Sequence, residues 1–235
     1  MKSTVTSART AVAQLFFNRC IYLFFTLISL IAVAPLIEPL SRASLLRNTI
    51  AVLLIVAVVA AVGRSIRSFL FAFSLAIPAL SVRWAATDSV GSTLFGVSLY
   101  LDAALYATAI AFLLRYVFDR EVITSDRMWG AASAYLLLGV FWAIVYAIID
   151  HQSPGSFATG GKATPLHLID LFYFSFSTLT TIGFGDIVPI TAVGRTASSL
   201  EAVVGNLFQA ILIARLVGVY PSNKADVDAR IQSSA

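Results

Sequence analysis

Long apolar stretches separated by short polar joints occupy residues 20–37, 44–63, 68–82, 92–118, 128–149 and 192–220. Most approach or exceed the roughly 20 residues that a helix needs to cross a hydrocarbon core. The third is shorter and carries Pro78, which blurs its boundaries. The pattern predicts an all-α membrane protein with six transmembrane helices. Between the fifth and sixth stretches the pattern changes. Residues 150–164 are rich in Gly, Ser and Pro and read as an irregular loop. An aromatic and hydroxyl-rich helix follows at 166–180, with Thr164 as N-cap and Pro165 at its first position. A glycine-containing run leads to Asp186, and Pro189 breaks the chain before the last apolar helix.

Composition agrees with that pattern. Hydrophobic residues make up 59% of the chain and charged residues 12%, whereas soluble domains run nearer a quarter charged. The mean hydropathy is +0.88. With the N-terminus inside, the cytoplasmic segments hold Lys2, Arg9, Arg19, Arg64, Arg67, Arg115, Arg120, Arg127, Arg215, Lys224 and Arg230, 11 of the 16 basic residues. Arg42, Arg47, Arg83, Lys162 and Arg195 fall outside. This bias follows the positive-inside rule and puts both termini in the cytoplasm and the 150–191 segment at the outer face. The net charge of +4 then needs no nucleic-acid partner and reads as topology signal and contact with anionic membrane lipid. Cys20 is the one cysteine, so an intrachain disulfide is excluded. No cleavage site of a signal peptide follows the first span. His151 and His167 lack the spacing of a metal or catalytic motif, and no enzyme is expected.

The division that follows is a four-helix module at 1–121, a charged joint at 121–127, a second module at 128–220 and a short polar tail at 221–235. The tail is too small for a cytoplasmic ligand-binding domain.

The most specific feature is Thr181-Ile182-Gly183-Phe184-Gly185, followed by Asp186. A dehydrated K⁺ needs rings of oxygens in place of water, and backbone carbonyls supply them if successive residues aim inward. An extended strand turns alternate carbonyls outward. Gly183 and Gly185 reach left-handed backbone angles without a Cβ clash, so the alternation can bring every carbonyl to one side. The run Thr180 to Asp186 closely resembles the selectivity-filter signature of tetrameric P-loop potassium channels, bacterial in type and six-helical in layout.

That resemblance implies a re-entrant pore helix and filter loop, assembled as a homotetramer in the plasma membrane. It implies no cofactor beyond K⁺ ions, coordinated by the carbonyls of Thr181, Ile182, Gly183 and Phe184 and the Thr181 hydroxyl, with Gly185 completing the filter. Asp186 matches the acidic residue behind the filter. Ser177 takes a pore-helix position where relatives carry Glu or Val, and Phe184 stands where many carry Tyr. Gly205, 20 residues beyond Gly185, matches the hinge glycine of the inner helix; close helix packing is the other reading. Helical spacing from there puts Asn206, Gln209, Ile213 and Val217 on one face, expected to line the cavity. Two amides in an apolar helix suit water better than lipid, and an interhelical hydrogen bond is the rival. Glu201 lies about 140° around the helix from Asn206. It should face protein, at the hydroxyls of Ser175, Ser177 or Thr178, and support the filter.

The first module has the layout of a voltage sensor without its charges. A sensor needs a basic residue at every third position of its fourth helix. The stretch 92–118 has only Arg115 at its inner end and Asp102 in mid-membrane. Arg64 and Arg67 read as topology signals. Asp102 is either a proton- or cation-sensitive switch or a structural acid paired with a Tyr or Arg. The sequence therefore predicts a K⁺-selective passive channel. A poorly selective monovalent cation channel is the alternative. A four-loop K⁺ transporter is disfavoured by the single loop, and a non-conducting scaffold leaves the filter run unexplained.

Overall fold

The structure, a computed structural model, describes residues 19–37, 49, 52–59, 66–85, 93–119, 124–164 and 166–219. In chain order these form α1 (Arg19–Ile37), a helical stretch at 52–59, α2 (Ile66–Ala85), α3 (Thr93–Val117) and α4 (Ser125–Gln152). Then come strands β1 (Phe157–Thr159) and β2 (Lys162–Ala163), α5 (Leu168–Leu179), β3 (Ile187–Pro189) and α6 (Ala192–Val219). Among the described residues three helices are long and apolar enough to cross a membrane: Thr93–Val117, Ser125–Gln152 and Ala192–Arg215. The apolar parts of α1 and α2, Cys20–Val33 and Ala72–Ala85, are shorter. Most of the expected second span, with Arg64 and the Arg67 side chain, lies outside the described residues, as does the tail beyond 219.

The helix α4 is the central post. Packed on it are α1, α3, α5 and α6. Small residues make this possible: Ala131, Ala134, Gly139, Ala143 and Ala147 are all in its sequence, and close approach in lipid depends on such positions. In contrast, α6 leaves most of its apolar surface bare, with Val193, Leu200, Val203, Leu207, Ile211 and Ile213 exposed.

Polar contacts fix the first helices. Arg83 of α2 donates to Asp102 of α3 at 2.5 Å, and Asp102 is fully buried. At the end of α3, Asp126 accepts from the Cys20 backbone N–H at 3.0 Å and the Tyr116 hydroxyl at 2.9 Å. Arg127 lies over the Tyr116 ring at 5.2 Å and donates to the Asp119 carbonyl. Arg215 of α6 lies over Phe118 at 5.1 Å and donates to that same carbonyl. Asp126 and Arg127, expected in a charged joint, are thus buried in the first turn of α4. Here α1, α3, α4 and α6 meet at one corner.

The segment expected as an irregular loop is instead a β-hairpin. Ala158 pairs with Ala163 and Thr159 with Lys162, antiparallel, around Gly160 and Gly161. Both glycines have positive φ, 58° and 78°, the combination that two-residue hairpin turns of matching twist require. The hairpin adds β3 on its other side, giving the order β2-β1-β3. A second correction concerns the start of α5. The helix begins at Leu168, with His167 as N-cap, not at 166 behind Thr164. Asp170 reaches back to accept the His167 N–H at 3.0 Å, satisfying a donor that a helix start leaves open. Thr164 turns its hydroxyl to the Lys162 carbonyl instead.

Candidate functional site

The loop 180–186 hangs from the C-terminal end of α5, where a helix leaves four carbonyls without intrahelical partners. Each of them is accounted for. The Phe176 carbonyl accepts from the Thr180 N–H at 3.1 Å and hydroxyl at 2.6 Å. The Ser177 carbonyl accepts from Ile182 at 3.0 Å and Gly183 at 3.2 Å, and the Thr178 carbonyl from Thr181 at 2.9 Å. The Leu179 carbonyl accepts from the Tyr135 hydroxyl of α4 at 3.1 Å. The first residues of the loop are therefore tied to the helix end by their own N–H groups, leaving their carbonyls free. The helix end also carries partial negative charge, which favours a cation over an anion beside it.

Backbone angles in the loop alternate. Thr181, Gly183 and Gly185 have φ of 60°, 58° and 79°, whereas Ile182 and Phe184 between them do not enter the positive region. Among the described residues Thr181 is the one non-glycine with positive φ. For a β-branched residue this costs on the order of 1–3 kcal/mol, so the surroundings must hold it there. One such hold is Ser177, whose hydroxyl accepts the Phe184 N–H at 3.4 Å. The Phe184 ring stacks on Tyr173 of α5, centroids 5.9 Å apart and planes at 12°. The Asp186 carboxyl group lies near the Tyr173 hydroxyl.

Behind α5 sits a buried polar cluster. Glu201 of α6 has no exposed surface. It accepts from the Tyr146 hydroxyl of α4, and its other oxygen is 2.5 Å from the Ser175 hydroxyl of α5. Ser175 also reaches the Gly139 carbonyl of α4 at 2.8 Å. One carboxyl group thereby joins three helices. Of the three hydroxyls considered from sequence, the geometry brings Ser175 to Glu201, while Ser177 turns to the loop. Tyr146 also closes an aromatic triad with Phe157 of β1 and Phe174 of α5, with centroids 5.0–5.5 Å apart.

Gly205 of α6 packs closely on the end of α5. A Cβ added there would stand 2.7 Å from the Leu179 carbonyl oxygen and 2.9 Å from its side chain. Beyond it, Asn206, Gln209 and Ile213 all lie exposed on α6. Gln209 donates to the Tyr135 hydroxyl at 2.7 Å, so the interhelical bond is present in the chain. The Val217 side chain lies outside the described residues.

A sequence model described as "Ion channel" matches residues 132–220, from within α4 to the end of α6. Protein LctB of Bacillus caldotenax is 30% identical over 99 residues, 40% of this chain and 73% of that protein. Protein LctB of Geobacillus stearothermophilus is 28% identical over 102 residues, with the same coverage. The inward rectifier potassium channel Kirbac3.1 of Paramagnetospirillum magnetotacticum is 33% identical over 81 residues, 33% of this chain and 24% of that one. The chain belongs to the tetrameric potassium channel superfamily. It is an ion channel of the membrane and not an enzyme. No solved structure matches the chain.

Two members of this channel's site escaped the sequence reading. Tyr135 and Tyr146 act through their hydroxyls, and each partner lies on another segment. The separations are 44 residues for Tyr135 and Leu179 and 55 for Tyr146 and Glu201. Only the presence of tyrosines inside apolar helices hinted at them, because a buried hydroxyl requires a partner.

Proposed function

We propose that four copies of this chain assemble a K⁺-selective pore in the plasma membrane, each with six spans and both termini in the cytoplasm. Conduction is passive and driven by the K⁺ gradient. The carbonyls of Thr181, Ile182, Gly183 and Phe184 and the Thr181 hydroxyl replace the ion's water, Gly185 completes the filter, and Asp186, Ser177 and Glu201 support it. Asn206, Gln209, Ile213 and Val217 face the cavity, and the bare apolar face of α6 meets neighbouring subunits and lipid.

The observation that carries this reading is the alternation of positive φ at Thr181, Gly183 and Gly185. Successive residues in mirror-related backbone regions turn their carbonyls to a common side, which an extended strand does not do. Four such strands around an axis supply the oxygen rings that a dehydrated K⁺ needs. Purified protein in liposomes should pass K⁺ and Rb⁺ well above Na⁺ and be blocked by Ba²⁺. Equal K⁺ and Na⁺ permeability removes the selective reading.

A poorly selective monovalent cation pore is the second reading, favoured by one feature. Phe184 has no hydroxyl to bond to α5, its ring is 66% exposed in the single chain, and its ring contact is the stack on Tyr173.

A further inference from the structure

The loop 180–186 is strained yet lightly held along its length. A Cβ at Gly183 or Gly185 would meet nothing within 4 Å in the single chain, so packing within one subunit does not fix these residues. Beyond the Ser177 and Tyr173 contacts at Phe184, its shape is then set at its two ends. The inner end is tied to Ser177 and Thr178, as described above. The outer end passes directly into β3, since Ile187 follows Asp186.

β3 is paired throughout with β1, in the register Phe157↔Pro189, Ala158↔Val188 and Thr159↔Ile187. The pairing continues one residue further, where Ile190 donates to the Ser156 carbonyl at 2.9 Å. The hairpin that provides β1 is itself rooted. Phe157 has no exposed surface and sits edge-on against Tyr146 and Phe174. Asp150 at the end of α4 accepts from the Gly155 and Ser156 N–H groups, both at 3.1 Å.

We propose that the 157–163 hairpin positions the outer end of the ion-conducting loop, with Phe157 as its anchor. The inference rests on the channel reading above. A shift of β3 against β1 by one residue would turn every side chain of the strand to the other face and drag Asp186 and the Gly185 carbonyl with it. The hairpin resists that shift through backbone pairing, and the Tyr146–Phe157–Phe174 triad links it to the wall behind α5. Loss of the hairpin frees the outer end, so the loop leaves its conducting shape more often. Ions bound in the loop oppose that departure by mass action.

Single-channel recording of the full-length protein in planar bilayers, at low and high external K⁺, tests this with two variants. Gly160→Val with Gly161→Val places branched residues at two left-handed positions and opens the turn. Weakening one or two ladder hydrogen bonds should shorten open bursts about tenfold at low external K⁺. High external K⁺ should restore them, with K⁺ over Na⁺ selectivity retained during each burst. Ala158→Cys with Val188→Cys joins directly paired positions whose spacing suits a disulfide. Once oxidised it should lengthen bursts by a similar factor, and a reductant should reverse the change. A wild type that carries no K⁺ current defeats the underlying reading, and the inference falls with it. A selective wild type whose bursts ignore the state of the cysteine pair defeats the inference alone. If the glycine variant does not assemble, the cysteine pair decides.

Discussion

The Tyr146 hydroxyl on α4 donates to the Glu201 carboxyl group on α6, across the flank of α5, with both side chains fully buried. The opposite oxygen of Glu201 meets Ser175, which also reaches the Gly139 carbonyl. A hydroxyl has one proton to give, so Ser175 cannot donate to both. The set has one acceptor too many for a carboxylate and gains its missing donor from any group at 201 that carries an N–H or O–H.

A carboxamide is such a group. Glu201→Gln should therefore keep the three helices joined, with melting temperature and ion flux near wild type. Glu201→Ala leaves the Tyr146 and Ser175 hydroxyls without their partner. At about 1–3 kcal/mol for each stranded buried group, it should lose most of the assembled protein. Thermal melting in detergent, followed by liposome flux, separates the two. Equal damage from Gln and Ala would show that the cluster depends on charge and not on hydrogen-bond count.

Gly205→Ala should be severe for a substitution of one methyl group. The added carbon meets the Leu179 carbonyl, which is backbone and already holds the Tyr135 hydroxyl. Overpacking of this kind costs about 1–3 kcal/mol and displaces the end of α5 from which the loop hangs. Reduced yield of folded protein together with altered ion selectivity is expected. A glycine needed only for bending would instead give normal yield and selectivity with slowed gating, so recording the purified variant distinguishes the two.

The elements that announced themselves in sequence are those with local signals. The apolar runs of α3, α4 and α6 are long, and the alternation at Gly183 and Gly185 is written in the residues themselves. Strands of two or three residues carry too little periodicity to be seen, and so the hairpin was read as loop. Its one cue was Gly160-Gly161 between Thr159 and Lys162, a turn signal masked by Pro154 and Gly155 nearby. The start of α5 was misplaced because Thr164-Pro165 is a good local cap. It lost to His167 and Asp170, which make their reciprocal contact while Thr164 serves the hairpin. Asp102 and Glu201 were visible as buried acids, but their partners depend on how separate helices meet.

Asp102 tests the integrity of the first helices. Its carboxylate is buried with Arg83 at 2.5 Å, which favours the structural acid over the switch. Breaking a buried pair by removing one partner typically costs about 3–5 kcal/mol, whereas apolar replacement of both is often neutral. Asp102→Leu should thus reduce yield of folded protein, and Arg83→Met in the same chain should recover much of it. Membrane expression and melting temperature of the single and double variants give the answer. A double variant that folds well but has lost a pH response of the wild-type current would return the switch reading.

Phe184→Tyr addresses the weakest contact of the loop. The wild-type ring is held by its stack on Tyr173, whose hydroxyl lies near Asp186. Adding a hydroxyl to the ring offers α5 a further hydrogen bond without changing the backbone alternation. A net hydrogen bond is worth about 0.5–1.5 kcal/mol, which corresponds to a several-fold change in a two-state equilibrium. Open bursts should lengthen by that factor and the K⁺ over Na⁺ ratio should rise or hold, because a stiffer ring keeps the Phe184 carbonyl aimed. Tyr173→Ala removes the stack, and it should act in the opposite direction. Single-channel records under mixed K⁺ and Na⁺ read both quantities at once. Burst length and selectivity that are indifferent to both substitutions would mean that the ring stack does not govern the stability of the loop. The tie from Ser177 to the Phe184 N–H would then be the contact that does.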